Sequence, residues 1–174
     1  GCWNIFFGYE TGVEELAKNI LTNKKNRDFE KMKRISRWTR EAGIETRAGF
    51  LVGLPGETPE LAKKTIQTAI DLDPDYAQFT VCCPYPGTKL ADEIHEGKWG
   101  KFLTHDLKEY NMWKVTWLPF GYKNAEELKN MERYAFRKFY LRPNYIIRRI
   151  LAIRSFEDIK RYIKGGTALI KGFL

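Results

Sequence analysis

The chain has 174 residues, 43 % apolar and 14 % aromatic, enough to bury one core and too rich in apolar side chains for a disordered segment. No apolar run reaches the ~20 residues that a membrane-spanning helix needs, and the opening residues Gly1 to Phe7 lack the basic flank of a signal peptide, so a soluble cytoplasmic protein with no membrane partner is expected. The net charge of +8 is uneven: residues 1–90 hold 13 basic and 12 acidic side chains, residues 91–122 hold 4 and 5, and residues 123–174 hold 13 and 5.

The first strand is expected over Trp3 to Tyr9, followed by Thr11-Gly12-Val13-Glu14 in the form of a capping box that starts a helix carrying Leu16 and Ile20. After a polar break, Asp28 is placed to cap a second helix, with Phe29, Met32, Ile35, Thr39 and Ala42 at helical spacing and Gly43 at its end. A second strand over Glu45 to Val52 runs into Gly53-Leu54-Pro55-Gly56-Glu57. There Thr58-Pro59 supplies an N-cap and an N1 proline for a helix to about Ile70. Asp73-Pro74-Asp75 makes the return turn to a third strand over Tyr76 to Cys83, which ends in Pro84-Tyr85-Pro86-Gly87-Thr88, and Thr88 caps a short helix to His95. Residues 98–122, with Trp99, Trp113, Trp117, Pro119 and Gly121, show no periodicity and are expected to form an ordered connector. In the tail, Leu128, Met131, Ala135 and Phe139 line one helix and Pro143 opens a second. Ser155 to Asp158 cap a third, which Gly165-Gly166 stops. The division is therefore 1–97, 98–122 and 123–174.

Strands alternating with helices imply right-handed crossovers and a parallel sheet, that is, an α/β fold with an α-helical C-terminal extension. In such a fold, chemistry gathers at the carboxyl ends of the strands, where Gly8-Tyr9-Glu10-Thr11-Gly12, Gly53 to Glu57 and Cys82 to Thr88 all fall. Alternation puts Asn4, Phe6, Gly8, Glu10, Arg47, Gly49, Leu51, Gly53, Gln78, Thr80 and Cys82 on an inner face. Ile5, Phe7, Tyr9, Phe50, Val52, Phe79 and Val81 fall on an apolar outer face suited to covering helices. The small, polar inner set is expected to line a crevice. Glycines 8, 49 and 53 would let a ligand approach the backbone, and Glu10 would accept hydrogen bonds from a ribose hydroxyl or an ammonium group.

Other chemistries fit less well. Gly-Leu-Pro-Gly-Glu-Thr is not followed by the Lys-Ser or Lys-Thr pair of a nucleotide-triphosphate loop, and His95 and His105 do not read as a zinc pair. No Ser-His-Asp arrangement can be assigned. The basic tail, with Tyr134, Tyr140, Tyr145 and Tyr162, leaves an RNA-binding module as the alternative reading, beside the solvated faces of ordinary helices. Adjacent Cys82 and Cys83 are poorly placed for a disulfide, which suits a reducing compartment. The start without Met and the apolar end, Ala168 to Leu174, read as cut points, so a piece of a longer protein is expected.

Together, the three strand-end segments resemble the later strands of the radical S-adenosylmethionine (SAM) superfamily, in the branch of methylthiotransferases, cobalamin-dependent radical enzymes and coproporphyrinogen dehydrogenases. The resemblance covers residues 1–95 and extends to the tail segment Ala135 to Pro143. It implies that the βα repeats form part of a partial TIM-type barrel and that Glu10 holds SAM. Gly49-Phe50-Leu51-Val52-Gly53-Leu54-Pro55-Gly56-Glu57 is similar to the family pattern G-x-I-x-G-x-x-E, with Glu57 displaced by one. The implied cofactor-binding set is Glu10, Gly12, Gly49, Leu51, Gly53, Glu57 and Cys82, the last through backbone groups of Val81 to Cys83. Lys18, Lys24 or Lys25 stand in for the family's basic residue near Thr22 that holds the SAM carboxylate.

The family's Cys-x-x-x-Cys-x-x-Cys loop, which binds a [4Fe-4S] cluster, has no counterpart in the chain. The resemblance therefore implies the SAM-binding half of an iron–sulfur oxidoreductase whose substrate, a small molecule or RNA, is unspecified. Cobalamin is a further cofactor in that branch. The missing N-terminal half is the expected partner, and the first strand would otherwise pair two copies of the chain.

Overall fold

The computed structural model describes residues 1–20, 28–111, 113–153, 155–157, 159, 160, 162, 163, 165 and 167. Its strands β1 (Asn4–Glu10), β2 (Glu45–Val52) and β3 (Tyr76–Val81) form a parallel sheet in the order β1-β2-β3. Helices α1 (Glu14–Ile20), α2 (Phe29–Glu41), α3 (Pro59–Leu72) and α4 (Lys89–His95) alternate with them. Local capping sets most of these boundaries. Asp28, Thr58 and Thr88 each accept a bond from the backbone N–H three residues on, Pro59 opens α3, and Gly43, at φ +71°, leaves α2 in the left-handed region.

The outer face is the core. Tyr9, Phe50, Val52, Phe79 and Val81 are buried under α2, α3 and α5 (Ala125–Tyr140), where Phe79 stacks on Phe50 at 5.5 Å and meets Phe136 edge-on. Among the described residues the first part of the inner face is open: Phe6 is 56 % exposed, and Gly8 and Gln78 are exposed. The inner set thus divides, open at Phe6, Gly8 and Gln78 and buried at Gly53 and Cys82 toward the strand ends. The edges of the sheet also differ. The Tyr140 hydroxyl donates to the Ala77 carbonyl at 2.7 Å and accepts from its N–H at 3.1 Å, closing the side of β3, whereas β1 pairs with β2 alone.

Three expectations need correction. Thr11 does not form a capping box: its hydroxyl accepts from Val13 N–H and bonds Thr65, and the Val13 carbonyl accepts the first helical bond of α1, from Ala17. Residues 98–122 contain an antiparallel pair, β4 (Gly100–Phe102) and β5 (Trp117–Pro119), too short to show alternation. Beyond α6 (Pro143–Leu151), Gly165 is helical rather than a stop, while Asp158 and Gly166 lie outside the described residues.

The basic tail turns several of its charges inward. Arg142 and Arg148 pair with Asp73, and Arg149 with Asp75, so the return turn at the base of β3 is the acidic partner of these guanidinium groups. Arg149 also lies over the Tyr76 and Tyr145 rings, at 4.6 and 5.7 Å.

Candidate functional site

The parallel strands bring Glu10, Gly53 and Cys82 to the same end of the sheet. Glu10 is built into unusual backbone. The register slips between Gly8 and Glu10, Glu10 has φ +60°, and Thr11 N–H bonds the Tyr9 carbonyl at 2.6 Å, which makes Glu10 the centre of a γ-turn. A non-glycine residue held there is strained, and such strain persists only where the surroundings enforce it. Here Thr11, fully buried, and Gly12 N–H both bond the Thr65 hydroxyl on α3. The turn folds the Glu10 carboxylate back over its own strand, 2.7 Å from where a Cβ at residue 8 would stand, so Gly8 is required for that pose.

The second loop is organised from inside. Glu57 is 0 % exposed, and its Oε1 accepts from Gly53 N–H at 2.5 Å and from the Tyr122 hydroxyl at 2.7 Å, while Oε2 has no hydrogen-bond partner. Burial is the main reason that its carboxyl is pushed up to about 7, against the lowering effect of those bonds. Tyr122 is raised well above its ordinary value by burial and by the Glu57 carboxylate. From the far side of the loop, Asn19 of α1 donates to the Pro55 carbonyl at 2.9 Å.

The third loop has a dry floor. Cys82 packs with Leu16, Leu54, Ile94 and Trp117; its N–H bonds the Val52 carbonyl and its carbonyl accepts from the Trp117 indole at 2.8 Å. Its thiol is pushed up to about 12, first by burial, then by the charges of Glu57, Cys83 and Glu10, so it stays protonated.

Of the sequence-derived set, Glu10 and Gly49 reach the open face, with the Phe6 ring lying over Gly49, 2.8 Å from where its Cβ would be. Leu51 is partly covered by the apolar cluster around Cys82. Two glycines serve packing rather than ligand approach: a Cβ at Gly12 would stand 2.2 Å from Thr68 Oγ1, and one at Gly53, φ +76°, would meet Leu128 of α5 at 2.9 Å. Glu57 presents no surface to a ligand and acts on Gly53 instead. Lys18 pairs with Glu14 at 3.0 Å, and Lys24 and Lys25 lie outside the described residues. His95 and His105, unpaired in the sequence reading, stack at 5.9 Å on the surface, yet no group of three metal-ligating side chains occurs among the described residues.

Tyr122, Trp117 and Gly121 are the positions the sequence reading left without a role. Gly121 lets the connector lie against the second loop, since its Cβ would stand 1.9 Å from the Glu57 carbonyl. Gly121→Ala is expected to cost about 1–3 kcal/mol by overpacking, read as a lower denaturation midpoint.

Glu57 also sets a pH dependence. With its folded value near 7 and its unfolded value near 4.5, the folded state holds the extra proton between them, so stability falls as pH rises from 4.5 to 7. The decline is expected to be about 3 kcal/mol, and Glu57→Gln is expected to flatten it in urea titrations at a series of pH values.

Comparison with known proteins bears on the family. No family model matches the chain. It is 31 % identical over 168 residues to an uncharacterized methyltransferase of Pyrococcus horikoshii, covering 95 % of this chain and 34 % of that protein. It is 32 % identical over 106 residues to the anaerobic magnesium-protoporphyrin IX monomethyl ester cyclase of Cereibacter sphaeroides, covering 61 % of this chain and 16 % of the cyclase. Among solved structures it is similar to the radical S-adenosylmethionine methyltransferase TsrM of Kitasatospora setae, solved with cobalamin and a [4Fe-4S] cluster bound. That match has a TM-score of 0.51 and 30 % identity over 56 % of this chain and 19 % of TsrM. These matches point to the radical SAM superfamily. It spans about a third of the length of the P. horikoshii protein.

Within a radical SAM protein, the residues described here do not fit the cluster. Cys2 is exposed before β1, Cys82 is a buried protonated thiol, and Cys83 bonds Thr116, so the three cysteines form no ligand set. What they offer a nucleoside with an ammonium group is one carboxylate, Glu10, on a strained turn at the strand ends.

Proposed function

We propose that the chain is the SAM-binding half of a radical SAM iron–sulfur enzyme, with the cluster ligands elsewhere in the parent protein. The observation that carries this reading is the γ-turn at Glu10, which spends backbone strain to hold one carboxylate over the open end of the sheet. In such an enzyme a cluster held elsewhere in the parent protein would supply the electron for reductive cleavage of SAM. This chain's residues bind and orient. Glu10 accepts hydrogen bonds from the ammonium or ribose hydroxyls, and the floor around Cys82 and Trp117 keeps water out from below. Glu57 and Tyr122 are positioning residues that fix the Gly53 loop.

Both the P. horikoshii relative and TsrM are methyltransferases by name, which supports methyl transfer, with cobalamin in the parent, as the first reaction to examine. The N-terminal half would pair with β1 and cover the inner face; in its absence two chains are expected to pair through β1. The test is to reduce the intact protein with SAM present and measure 5′-deoxyadenosine. Formation by the intact protein and none by this chain is the expected result. An intact protein that binds no SAM, or a chain that cleaves it unaided, overturns the proposal.

A further inference from the structure

The carboxyl end of α3 and the amino end of α6 border an open hollow of about 340 Å³, lined by Ile70, Asp73, Arg142, Asn144, Tyr145 and Arg148. Its charges do not balance. Arg142 Nη2 lies 3.1 Å from Asp73 Oδ1, Arg148 Nη2 lies 3.0 Å from the same oxygen, and Arg40 of α2 approaches Oδ2 at 3.6 Å. Arg149 takes Asp75, at 2.9 Å. Four guanidinium groups therefore meet two carboxylates, and the surplus of two positive charges falls on the three that share Asp73. Carbonyls at the end of α3 offset part of that surplus: Ile70 accepts from Arg142 Nη1 at 3.2 Å, and Asp73 from Arg40 Nη2 at 2.5 Å. The amino end of α6 acts in the opposite sense, because its first turn holds no acidic residue and no side chain caps it.

These guanidinium groups are held in place rather than free to swing apart. Arg142 Nε donates to the Phe139 carbonyl at 2.8 Å and its Cζ lies 4.5 Å over the Phe139 ring, while Arg148 lies 5.6 Å over the Tyr145 ring. The side chains of Arg142 and Arg148 are 21 % and 31 % exposed, so water screens their mutual repulsion only in part. Like charges fixed this way favour a bound counter-ion, and planar guanidinium forks match the oxygens of an oxyanion. A surplus of two charges matches a dianionic phosphate; the Asn144 amide at the mouth is a further donor, and Ile70 and Tyr145 give an attached organic group an apolar wall. We infer that this hollow binds the terminal phosphate of a small phosphate monoester. It lies beside the start of β3, at the end of the sheet opposite Glu10, and SAM carries no phosphate, so the inference does not depend on the SAM reading. A phosphodiester strand has one charge per phosphate and needs a basic track beyond the hollow, where Arg149 is already neutralised by Asp75.

The test is isothermal titration calorimetry of the chain with ribose 5-phosphate, with ribose, and with an oligoribonucleotide lacking a terminal phosphate, all at one ionic strength. Ribose 5-phosphate is expected to bind at least ~10-fold more tightly than ribose. R148M is expected to lose at least ~10-fold of that affinity, and R148K less, because lysine keeps the charge without the fork. D73N removes the competing carboxylate and is expected to tighten binding at least ~3-fold, a gain that a misfolded tail cannot produce. R133M, at an arginine of α5 that pairs with Glu126, should bind as the parent chain does. No binding of ribose 5-phosphate, binding that R148M leaves unchanged, or binding that D73N weakens overturns the inference. So does an oligoribonucleotide that binds more tightly than ribose 5-phosphate and loses its affinity in R148M.

Discussion

Trp117→Ala is expected to destabilise the chain by about 3–5 kcal/mol, as deletion of a large buried ring does. The ring is 0 % exposed, it joins Leu16, Leu54 and Ile94 beneath the strand ends, and its indole N–H satisfies the Cys82 carbonyl at 2.8 Å. Truncation leaves both a cavity and a buried, unpaired carbonyl, and the second adds about 1–3 kcal/mol where water cannot enter. Trp117→Phe restores most of the volume but not the bond, so comparing the two variants by chemical denaturation separates packing from hydrogen bonding. A cost below ~1 kcal/mol for the alanine variant would mean that the connector is not part of the site's floor.

That floor shows where sequence reasoning stops. Residues 45–52 and the caps at Asp28, Thr58 and Thr88 are legible because each rests on local chemistry, the alternation of Thr46, Ala48, Phe50 and Val52 or a side-chain oxygen within three residues of the N–H it accepts from. Trp117 and Tyr122 gave no such signal. Their partners, Cys82 and Glu57, lie 35 and 65 residues away, and β4 and β5 are three residues each, too short for a period to show. Two glycines show a related limit. Gly12 and Gly53 look like places for a ligand, but only the packed helices reveal that Thr68 and Leu128 occupy the space a Cβ would take. Glu10 was legible as a residue and not as a conformation: alternation assigns it to the inner face, while the bulge and positive φ that aim it come from anchoring Thr11 and Gly12 to Thr65.

Glu10→Ala carries the largest functional effect. A hydrogen bond to a charged group is worth about 1.5–3 kcal/mol, so SAM binding by the intact protein is expected to weaken by roughly 10- to 150-fold in equilibrium titration. Glu10→Gln keeps an acceptor without the charge and should fall between the two. Stability is expected to hold or improve slightly, because the change leaves the Thr11–Thr65 anchor in place. Glu30→Ala, on exposed α2 surface, is the control and should bind as the wild type does.

The most direct measurement is a structure of the intact protein with SAM bound. The account predicts the nucleoside at the carboxyl ends of the strands, with a ribose hydroxyl or the ammonium group within hydrogen-bond distance of the Glu10 carboxylate. SAM seated elsewhere, or Glu10 turned away from it with the γ-turn relaxed, would contradict the account.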